Sequence, residues 1–437
     1  MNTCLKQYLR YSFLNVLGMA GVSCYILADT FFVANGTGTN GLAALNIAIP
    51  VYSVIHGMGL MAGIGAATRF SIANGAGDKK ERDSVFTRAI VLCLLFSAVF
   101  VTAGLFFADR LALLLGADDA TFSMCRDYIR ILMFFSPMFI LNNIVGSFLR
   151  NDGAPGLSMA AMIAGSFANI LMDWVFIFPL DMGVFGAALA TGFSPMISLA
   201  VMSVFFIKKK NSFRLKKNSF SVSAYFRILY AGVPSLITEL SSGIVMLVFN
   251  TIMLSLAGNE GVAAYGVIAN IAIVVIAIHT GIAQGIQPLT ATYYGAGRKK
   301  ELSQTLAYAI ITVFAVSILI YAVMFIFAAP VTALFNSESN SVLQEIAEKG
   351  IKIYFTGCLF AGINIVLASL FASSEKETYG TVISVLRGIA VIIPAAIIMS
   401  EILDITGLWL SYPVTELLTA LAGCILLIIS MKKQKTG

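Results

Sequence analysis

Four carboxylic acids stand inside long apolar stretches of the sequence, where a charged side chain is unexpected. They are Asp29, Asp173, Glu239 and Glu416. Moving a charge into the hydrocarbon of a bilayer is costly, so an acid in such a stretch is by default a hypothesis of function. Asn169 precedes Asp173 by four residues, which places both side chains on one face of a helix. The sequence therefore predicts a polar site built on helices.

Counting depth along the helices brings some of these groups to one level. At about 1.5 Å per residue, Asp29, Asp173 and Thr191 all fall in the outer half of the bilayer when the N-terminus is cytoplasmic. Together with Asn169 they offer two carboxylates, an amide oxygen and a hydroxyl. Such oxygen ligands suit a hard monovalent cation, such as Na+, or a proton. The alternative is a static hydrogen-bond network that holds three helices together.

The other two acids lie nearer the middle of the membrane. For Glu239 and Glu416 we keep two interpretations open, a position facing a central cavity and a structural role. His56 and His279 also lie in apolar stretches, with no ligand-spaced partner in the sequence. Ordinary buried histidines are therefore expected at both positions.

The composition restricts what can hold these groups. The chain has 437 residues, of which 59% are hydrophobic and only 11% are charged, against roughly 25% charged residues in a soluble domain. A water-soluble, disordered, collagen-like or nucleic-acid-binding protein is thereby excluded. The solvent of this chain is mostly lipid.

Twelve apolar runs are long enough to cross a bilayer, and we name them spans 1 to 12. They lie near residues 12–34, 42–66, 86–107, 127–149, 157–178, 185–207, 228–254, 262–288, 303–328, 350–372, 379–400 and 406–430. Only helices and closed barrels satisfy the backbone in lipid, and these runs lack the alternation of barrel strands. The fold class predicted is an all-α polytopic membrane protein.

The basic residues predict the orientation. With an internal N-terminus, the segments on the inner side contain most of the lysines and arginines, and those on the outer side contain only Arg110, Arg126, Arg130, Lys349 and Lys352. The positive-inside rule then places both termini in the cytoplasm, with the chain in the cell (inner) membrane. The lysine run 208–210 is a topology signal and not a nucleic-acid site.

An internal repeat divides the chain at an offset of about 220 residues. Residues 75–81 read GAGDKKE and residues 295–301 read GAGRKKE. Each half has six spans, and an even number returns the chain to its starting side. We therefore expect two six-helix bundles, over 1–207 and 227–437, that form a parallel pseudo-two-fold repeat joined by a cytoplasmic basic linker, 208–226. This organisation is typical of secondary transporters that rock two halves around a central site.

The acid pair does not follow the repeat. At the repeat offset Asp29 corresponds to Phe249, and Asp173 corresponds to Pro394. The pair belongs to the first half only, which argues against a symmetric structural role.

These features resemble the MATE (multidrug and toxic compound extrusion) transporters over essentially the whole chain. Besides the twelve spans, the basic linker and the GAG turn, residues 149–155 (LRNDGAP) look like that family's region between spans 4 and 5. So do residues 407–409 (GLW) and 412–413 (YP) in span 12. The resemblance implies a membrane transporter, not an enzyme, with no cofactor and no obligate protein partner.

Within the family, the acid positions look like the DinF-like and archaeal branch. The resemblance implies a Na+ or H+ site formed by four residues of the first half. It also implies a drug cavity lined by three further residues of that half. The site residues are Asp29, Asn169, Asp173 and Thr191; the cavity residues are Asn142, Asn143 and Met162. The NorM-type branch uses acids on spans 7 and 10, but span 10 here has no carboxylate. A NorM-type role is therefore not transferred to Glu239.

The function expected is efflux of amphipathic organic cations, small drug-like molecules, by alternating access and antiport against Na+ or H+. Two other functions remain open. A flippase for lipid-linked precursors in the same broader superfamily would need a strongly cationic cavity, whereas the membrane interior here is rich in acids. A non-transporting scaffold or receptor would leave the repeat and its one-sided acids unexplained.

Overall fold

The computed structural model describes residues 3–216, 221–336 and 340–436. Within these ranges all regular structure is helical. The first half is formed by Thr3–Gly75, Lys79–Leu114, Phe122–Phe134, Ser136–Asn151, Pro155–Ile177 and Gly183–Ile207. The second half is formed by Val222–Gly295, Lys299–Ile326, Ala328–Phe335, Ser341–Tyr354, Cys358–Ala372, Glu377–Val385 and Ile392–Thr436, with a 3-10 turn at Phe355–Gly357 and a π-helical turn at Leu386–Ala390.

Two of the helical segments contain two spans each, and a third, Ile392–Thr436, contains the end of span 11 and all of span 12. A segment of 73 residues, such as Thr3–Gly75, would be about 110 Å long if straight, far more than the roughly 30 Å of bilayer hydrocarbon. The segments reverse direction at single positions with left-handed backbone angles, namely Gly38 (φ 70°), Gly258 (φ 60°) and Asp404 (φ 51°). Counted with these breaks, and with span 4 bent by 46° between Phe134 and Ser136, the described helices confirm twelve spans.

The connection between spans 1 and 2 differs from the sequence prediction. The apolar runs leave residues 35–41 as a loop, but the chain is helical on both sides of Gly38. Thr37 explains part of this longer helix, because its hydroxyl donates to the carbonyl of Val33 at 2.7 Å. This carbonyl near the helix end therefore has a hydrogen-bond partner. The turn therefore needs one glycine rather than a loop.

The GAG turns show the repeat in three dimensions. The second glycine of each turn, Gly77 and Gly297, has a left-handed backbone (φ 78° and 68°), as expected where a helix ends. The first glycine of each makes a close contact with the other half. A Cβ at Gly75 would lie 2.2 Å from the carbonyl oxygen of Thr292, and a Cβ at Gly295 would lie 2.1 Å from that of Ile72. These reciprocal contacts confirm the parallel pseudo-two-fold arrangement.

We call the end of the molecule that contains the termini and the basic loops the terminal end, and the opposite end the distal end. At the terminal end, polar side chains join the two halves. Gln287 donates to the hydroxyl of Thr68 at 2.6 Å and accepts from Asn151 at 3.2 Å. Arg69 of span 2 forms ion pairs with Glu375 and Glu377 of the second half, the latter at 2.5 Å. The halves are thus packed closely together at this end.

The linker is partly anchored to the first half. Phe213 is fully buried, and its ring lies 4.4 Å from that of Phe86, centroid to centroid. The hydroxyl of Ser212 donates to Asp152 at 2.5 Å. The last residues of the expected linker already belong to the helix that begins at Val222. Residues 217–220 of the expected linker lie outside the described residues.

Candidate functional site

Spans 1, 5 and 6 bring the predicted cation-site residues together. Asp29 lies in the first arm of Thr3–Gly75, Asn169 and Asp173 in Pro155–Ile177, and Thr191 in Gly183–Ile207. The carboxyl groups of Asp29 and Asp173 are neighbours, with no hydrogen bond of normal geometry between them. Tyr128 of span 4 is buried beside Thr191. The site thus joins four spans of the first half.

Small residues allow these spans to pack closely. The hydroxyl of Ser198 in span 6 donates to the carbonyl of Ala161 in span 5 at 2.9 Å, and that of Ser194 donates to Gly165 at 3.0 Å. A Cβ at Gly165 would lie 2.1 Å from the Ser198 hydroxyl oxygen. Contacts of small residues and interhelical hydrogen bonds are the usual basis of helix packing in lipid. They position Asp173 and Thr191 from neighbouring helices.

The site is buried and its polar atoms are not satisfied by the protein. Asn169 and Asp173 are fully buried, Thr191 is buried, and Asp29 is half-buried. Among the described residues, no hydrogen-bond partner of normal geometry meets Asp29 Oδ1, either carboxylate oxygen of Asp173, either amide atom of Asn169 or the Thr191 hydroxyl. Two carboxylates can share one proton but cannot satisfy each other when both are ionised. Since buried polar atoms are nearly always paired, this arrangement is suited to accept a cation.

A second polar cluster lies between the halves. Glu239 Oε1 of span 7 is 3.2 Å from His56 Nδ1 of span 2, and both side chains are about a quarter exposed. The ring of His56 is stacked on that of Tyr52 at 5.5 Å, and the Tyr52 hydroxyl is 3.2 Å from that of Tyr25. The expectation of an ordinary buried histidine was therefore wrong for His56, because its partner comes from the other half and sequence spacing does not reveal it.

His279 does follow the expectation of a buried histidine. It is fully buried, and its Nε2 lies 2.9 Å from the Ser317 hydroxyl. This pair joins span 8 to span 9 within the second half. It contributes packing and not a ligand site.

Glu416 is buried in the second half and firmly paired. It is 1% exposed. Its Oε1 accepts from Arg387 Nη2 at 2.7 Å, and its Oε2 accepts from Asn364 Nδ2 at 2.6 Å. In this conformation Glu416 does not line an open cavity, since the guanidinium and the amide enclose its carboxylate.

Arg387 is a residue that the sequence analysis missed. It lies in the π-helical turn Leu386–Ala390 of span 11, and such turns often mark functional or strained positions. The signal was present in the sequence, because Arg387 is the one charged residue in the apolar run 379–400. A basic residue in such a run implies a buried acidic partner.

The predicted drug-cavity residues lie on spans 4 and 5. Asn143 Nδ2 donates to the carbonyl of Phe139 at 3.2 Å and packs against Gly59 of span 2. Asn142 is half-buried, and its amide oxygen has no hydrogen-bond partner among the described residues. The sulfur of Met162 would be 3.0 Å from a Cβ at Gly18 of span 1. Asn143 and Met162 thus both contact Thr3–Gly75, the helical segment that carries Asp29.

Comparison with known proteins supports the architecture. The chain is 27% identical over 428 residues to the multidrug export protein MepA of Staphylococcus aureus, covering 96% of this chain and 93% of that protein. It superimposes with a TM-score of 0.94, at 25% identity, on a structure described as the outward-facing conformation of a multidrug resistance MATE family transporter, covering 100% of this chain and 98% of the other. A transporter of the MOP superfamily from Pyrococcus furiosus gives 0.92 at 25% identity, covering 99% and 97%.

A family model settles the assignment. The model described as MatE matches residues 16–175 and 234–398, which together make up most of the chain and fall one in each half. The two matched regions include every span except span 6 and span 12. The chain belongs to the MATE family of membrane transporters.

Proposed function

We propose that this protein is a multidrug efflux antiporter, which exports amphipathic organic cations in exchange for Na+ or H+. The drug-export part follows from family membership and from the similarity to MepA, a multidrug export protein. The coupling part depends on the first half of the chain. We place the protein in the cell membrane with its termini in the cytoplasm, because the basic loops lie at the terminal end.

One observation carries the coupling proposal: the fully buried carboxyl of Asp173 neighbours that of half-buried Asp29, and no hydrogen bond of normal geometry from the described protein meets either oxygen of Asp173 or Oδ1 of Asp29. Such a pair has a strong affinity for positive charge, because the low dielectric of the interior strengthens the attraction. Asn169 and Thr191 add neutral oxygens, which complete a ligand set for a hard cation. Binding of a proton would need only one of the carboxyls.

The geometry suggests how binding would move the helices. Without a cation, repulsion between Asp29 and Asp173 drives span 1 away from span 5, and a bound cation or proton removes that repulsion. Span 1 also contacts Met162 through Gly18, so its displacement changes the wall of the drug cavity. Cation binding and drug binding would therefore favour different positions of span 1, so that each weakens the other.

The conformation described here fits the cation-accepting state. The halves are joined at the terminal end by Arg69 with Glu377 and by Gln287 with Thr68, which would close the cytoplasmic side. The similar MATE structure is described as outward-facing. An outward-open molecule would take a cation from outside and release drug in exchange. Cation release to the cytoplasm would follow once the terminal contacts open.

The test is transport into proteoliposomes that contain the purified full chain. Ethidium accumulation is measured with a Na+ gradient at fixed pH, and separately with a pH gradient in the absence of Na+. One of the two gradients should drive accumulation, and Asp29→Asn or Asp173→Asn should reduce that accumulation at least tenfold. Glu260→Gln, a change at an exposed acid of the distal end, is the matched control. Full gradient-driven accumulation by both asparagine variants would refute the coupling mechanism.

A further inference from the structure

An apolar pocket of about 340 Å³ lies at the distal end of the first half, between spans 3, 4 and 6. This is more than ten times the roughly 30 Å³ that a water molecule occupies in the liquid. Its walls include Val101 and Leu105 of span 3, Ile131 and Phe134 of span 4, and Leu189 of span 6. Leu105 and Phe134 are more than half exposed, so the pocket opens toward the surrounding lipid.

Arg130 is the charged residue that lines this pocket. Its side chain is 46% exposed, and its Nη2 is 3.5 Å from Oδ1 of Asp109, a carboxylate that is itself 61% exposed. A contact of this length between exposed groups is weak. A guanidinium has five N–H donors, so most of them stay free to bind another acceptor at the mouth of the pocket.

The depth of the pocket matches the boundary between hydrocarbon and headgroups. Its apolar walls belong to the turns of spans 3, 4 and 6 that lie nearest the distal end. Arg130 lies one helical turn after the start of the apolar run of span 4. A long basic side chain at this depth extends toward the headgroups. Basic groups beside pockets between membrane helices are typical contacts of phospholipid phosphates. Arg130 is also one of the few cations at the distal end.

We propose that this pocket binds a phospholipid of the distal leaflet, with part of an acyl chain between spans 3, 4 and 6 and the phosphate on Arg130. The apolar volume and the cation at its mouth together match the two parts of such a lipid. A free anion would use only the arginine, and an uncharged lipid would use only the apolar walls.

The pocket lies next to the candidate cation site, separated from it by one layer of side chains. Phe135, which also lines the pocket, packs against Gly192 of span 6, where a Cβ would lie 2.6 Å from its ring. Gly192 follows Thr191, a member of the cation site. The two sites therefore share a wall at the bend of span 4, although lipid binding itself does not depend on the proposed transport function.

The chain contains a second pocket that serves as a control. It has about 350 Å³ and lies between span 1 and spans 8 and 9, with Leu27, Ile271 and Val323 among its walls. None of the described residues that line it is charged. If apolar volume alone retained lipid, the two pockets would behave alike.

The test is native mass spectrometry of the purified full chain, titrated with dioleoyl phosphatidylglycerol or with dioleoylglycerol, which lacks the phosphate. We expect one tightly retained phosphatidylglycerol per chain and no retained dioleoylglycerol. Arg130→Gln should lower the affinity for phosphatidylglycerol about tenfold through loss of the charge-assisted contact, and Val101→Phe, which fills the pocket, should do the same.

Two variants serve as matched controls. Arg126→Gln removes a nearby arginine that pairs with Asp127 at 2.8 Å and does not line the pocket, and Val323→Phe fills the control pocket. Both should retain the lipid as the unaltered chain does. Equal retention of dioleoylglycerol, or equal losses for Arg126→Gln and Arg130→Gln, would overturn the proposal. The thermal midpoint of each variant shows whether it has folded.

Discussion

In the first half, Asp29 and Asp173 face each other with no basic partner among the described residues, whereas in the second half Glu416 is enclosed by Arg387 and Asn364. Both arrangements bury a carboxylate within a six-helix bundle. Under the proposed coupling, the first leaves negative charge for an exchangeable cation, whereas in the second the guanidinium of Arg387 neutralises the acid. The two halves thus share a backbone plan and differ in what compensates the buried acid.

The difference indicates how, under the proposed coupling, a repeated fold can carry a function in one half only. The glycine contacts between Gly75 and Thr292 and between Gly295 and Ile72 are reciprocal, so the repeat preserves the geometry on which rocking depends. Buried charges are not under that constraint. In the second half Arg387 pairs with the buried acid Glu416, whereas no described arginine or lysine pairs with Asp29 or Asp173; under the proposed coupling, this leaves the first half able to respond to cations.

The largest expected effect comes from breaking the pair in the second half. Arg387→Met leaves the buried carboxylate of Glu416 without its cation, which should lower the free energy of unfolding by about 3–5 kcal/mol. The thermal midpoint of the purified protein measures this. The double variant Arg387→Met/Glu416→Leu should recover most of the lost free energy of unfolding, because well-packed apolar residues can replace a buried ion pair at little cost. An unchanged midpoint in Arg387→Met would show that the pair is not what stabilises this bundle.

The contacts that the halves share should respond equally to substitution. Gly75→Ala and Gly295→Ala each place a Cβ against a carbonyl oxygen of the other half, and overpacking of this kind costs about 1–3 kcal/mol. Both variants should lower the thermal midpoint by similar amounts. Gly243→Ala is the control, since a Cβ there meets no atom within 4 Å. A large effect at one glycine alone would contradict the symmetric interface.

Neutralising the acid site should affect stability much less. Asp173→Asn removes like-charge repulsion from an unsatisfied pair, so we expect a change within about 1 kcal/mol, toward greater stability. Thermal midpoints in the presence and absence of Na+ and at several pH values measure this. Any midpoint shift that the cation or pH produces in the unaltered chain should be lost in the variant. A loss of stability as large as that expected for Arg387→Met would mean that the acids are structural.

The ion pairs at the terminal end should give the smallest effect. Arg69→Gln removes the ion pairs to the exposed Glu375 and the buried Glu377. Because the glutamine amide can still donate a hydrogen bond to Glu377, the expected loss is about 1 kcal/mol. The terminal end should then open about fivefold more often. The rate at which a maleimide labels a cysteine introduced at buried Ala291 reports this opening. Lys300→Gln, at the same end of the molecule, should leave the rate unchanged.

Much of the fold could be predicted from the sequence, because its determinants are local or periodic. Lipid demands long apolar helices, so the spans can be counted, and the level shared by Asp29 and Asp173 follows from the fixed rise of a helix. The two GAG segments indicated the repeat. The breaks at Gly38 and Asp404 could not be placed to the residue, because the polar segments around them resemble loops whereas the chain is helical to within one or two residues of each break.

The partners of the remaining polar groups could not be predicted for a different reason. Arg387 meets Glu416, and His56 meets Glu239, only after helices have been rotated and packed against each other. No spacing along the chain encodes that rotation. Depth alone did not distinguish Glu239 from Glu416. Their contacts do, because Glu239 lies between the halves with about a quarter of its side chain exposed, whereas Glu416 is enclosed within the second half.

The central claim is that the acids of the first half accept exchangeable positive charge, whereas Glu416 does not. Dicyclohexylcarbodiimide, which enters membranes and reacts with carboxyl groups that carry a proton, tests this when labelled peptides of the purified protein are identified by mass spectrometry. We predict labelling at Asp29 or Asp173 that increases as the pH falls and is suppressed by Na+ or by a transported organic cation, with Glu416 unlabelled throughout. Labelling of Glu416 to the same extent as the acid pair, or an acid pair that stays unlabelled at every pH, would contradict the account.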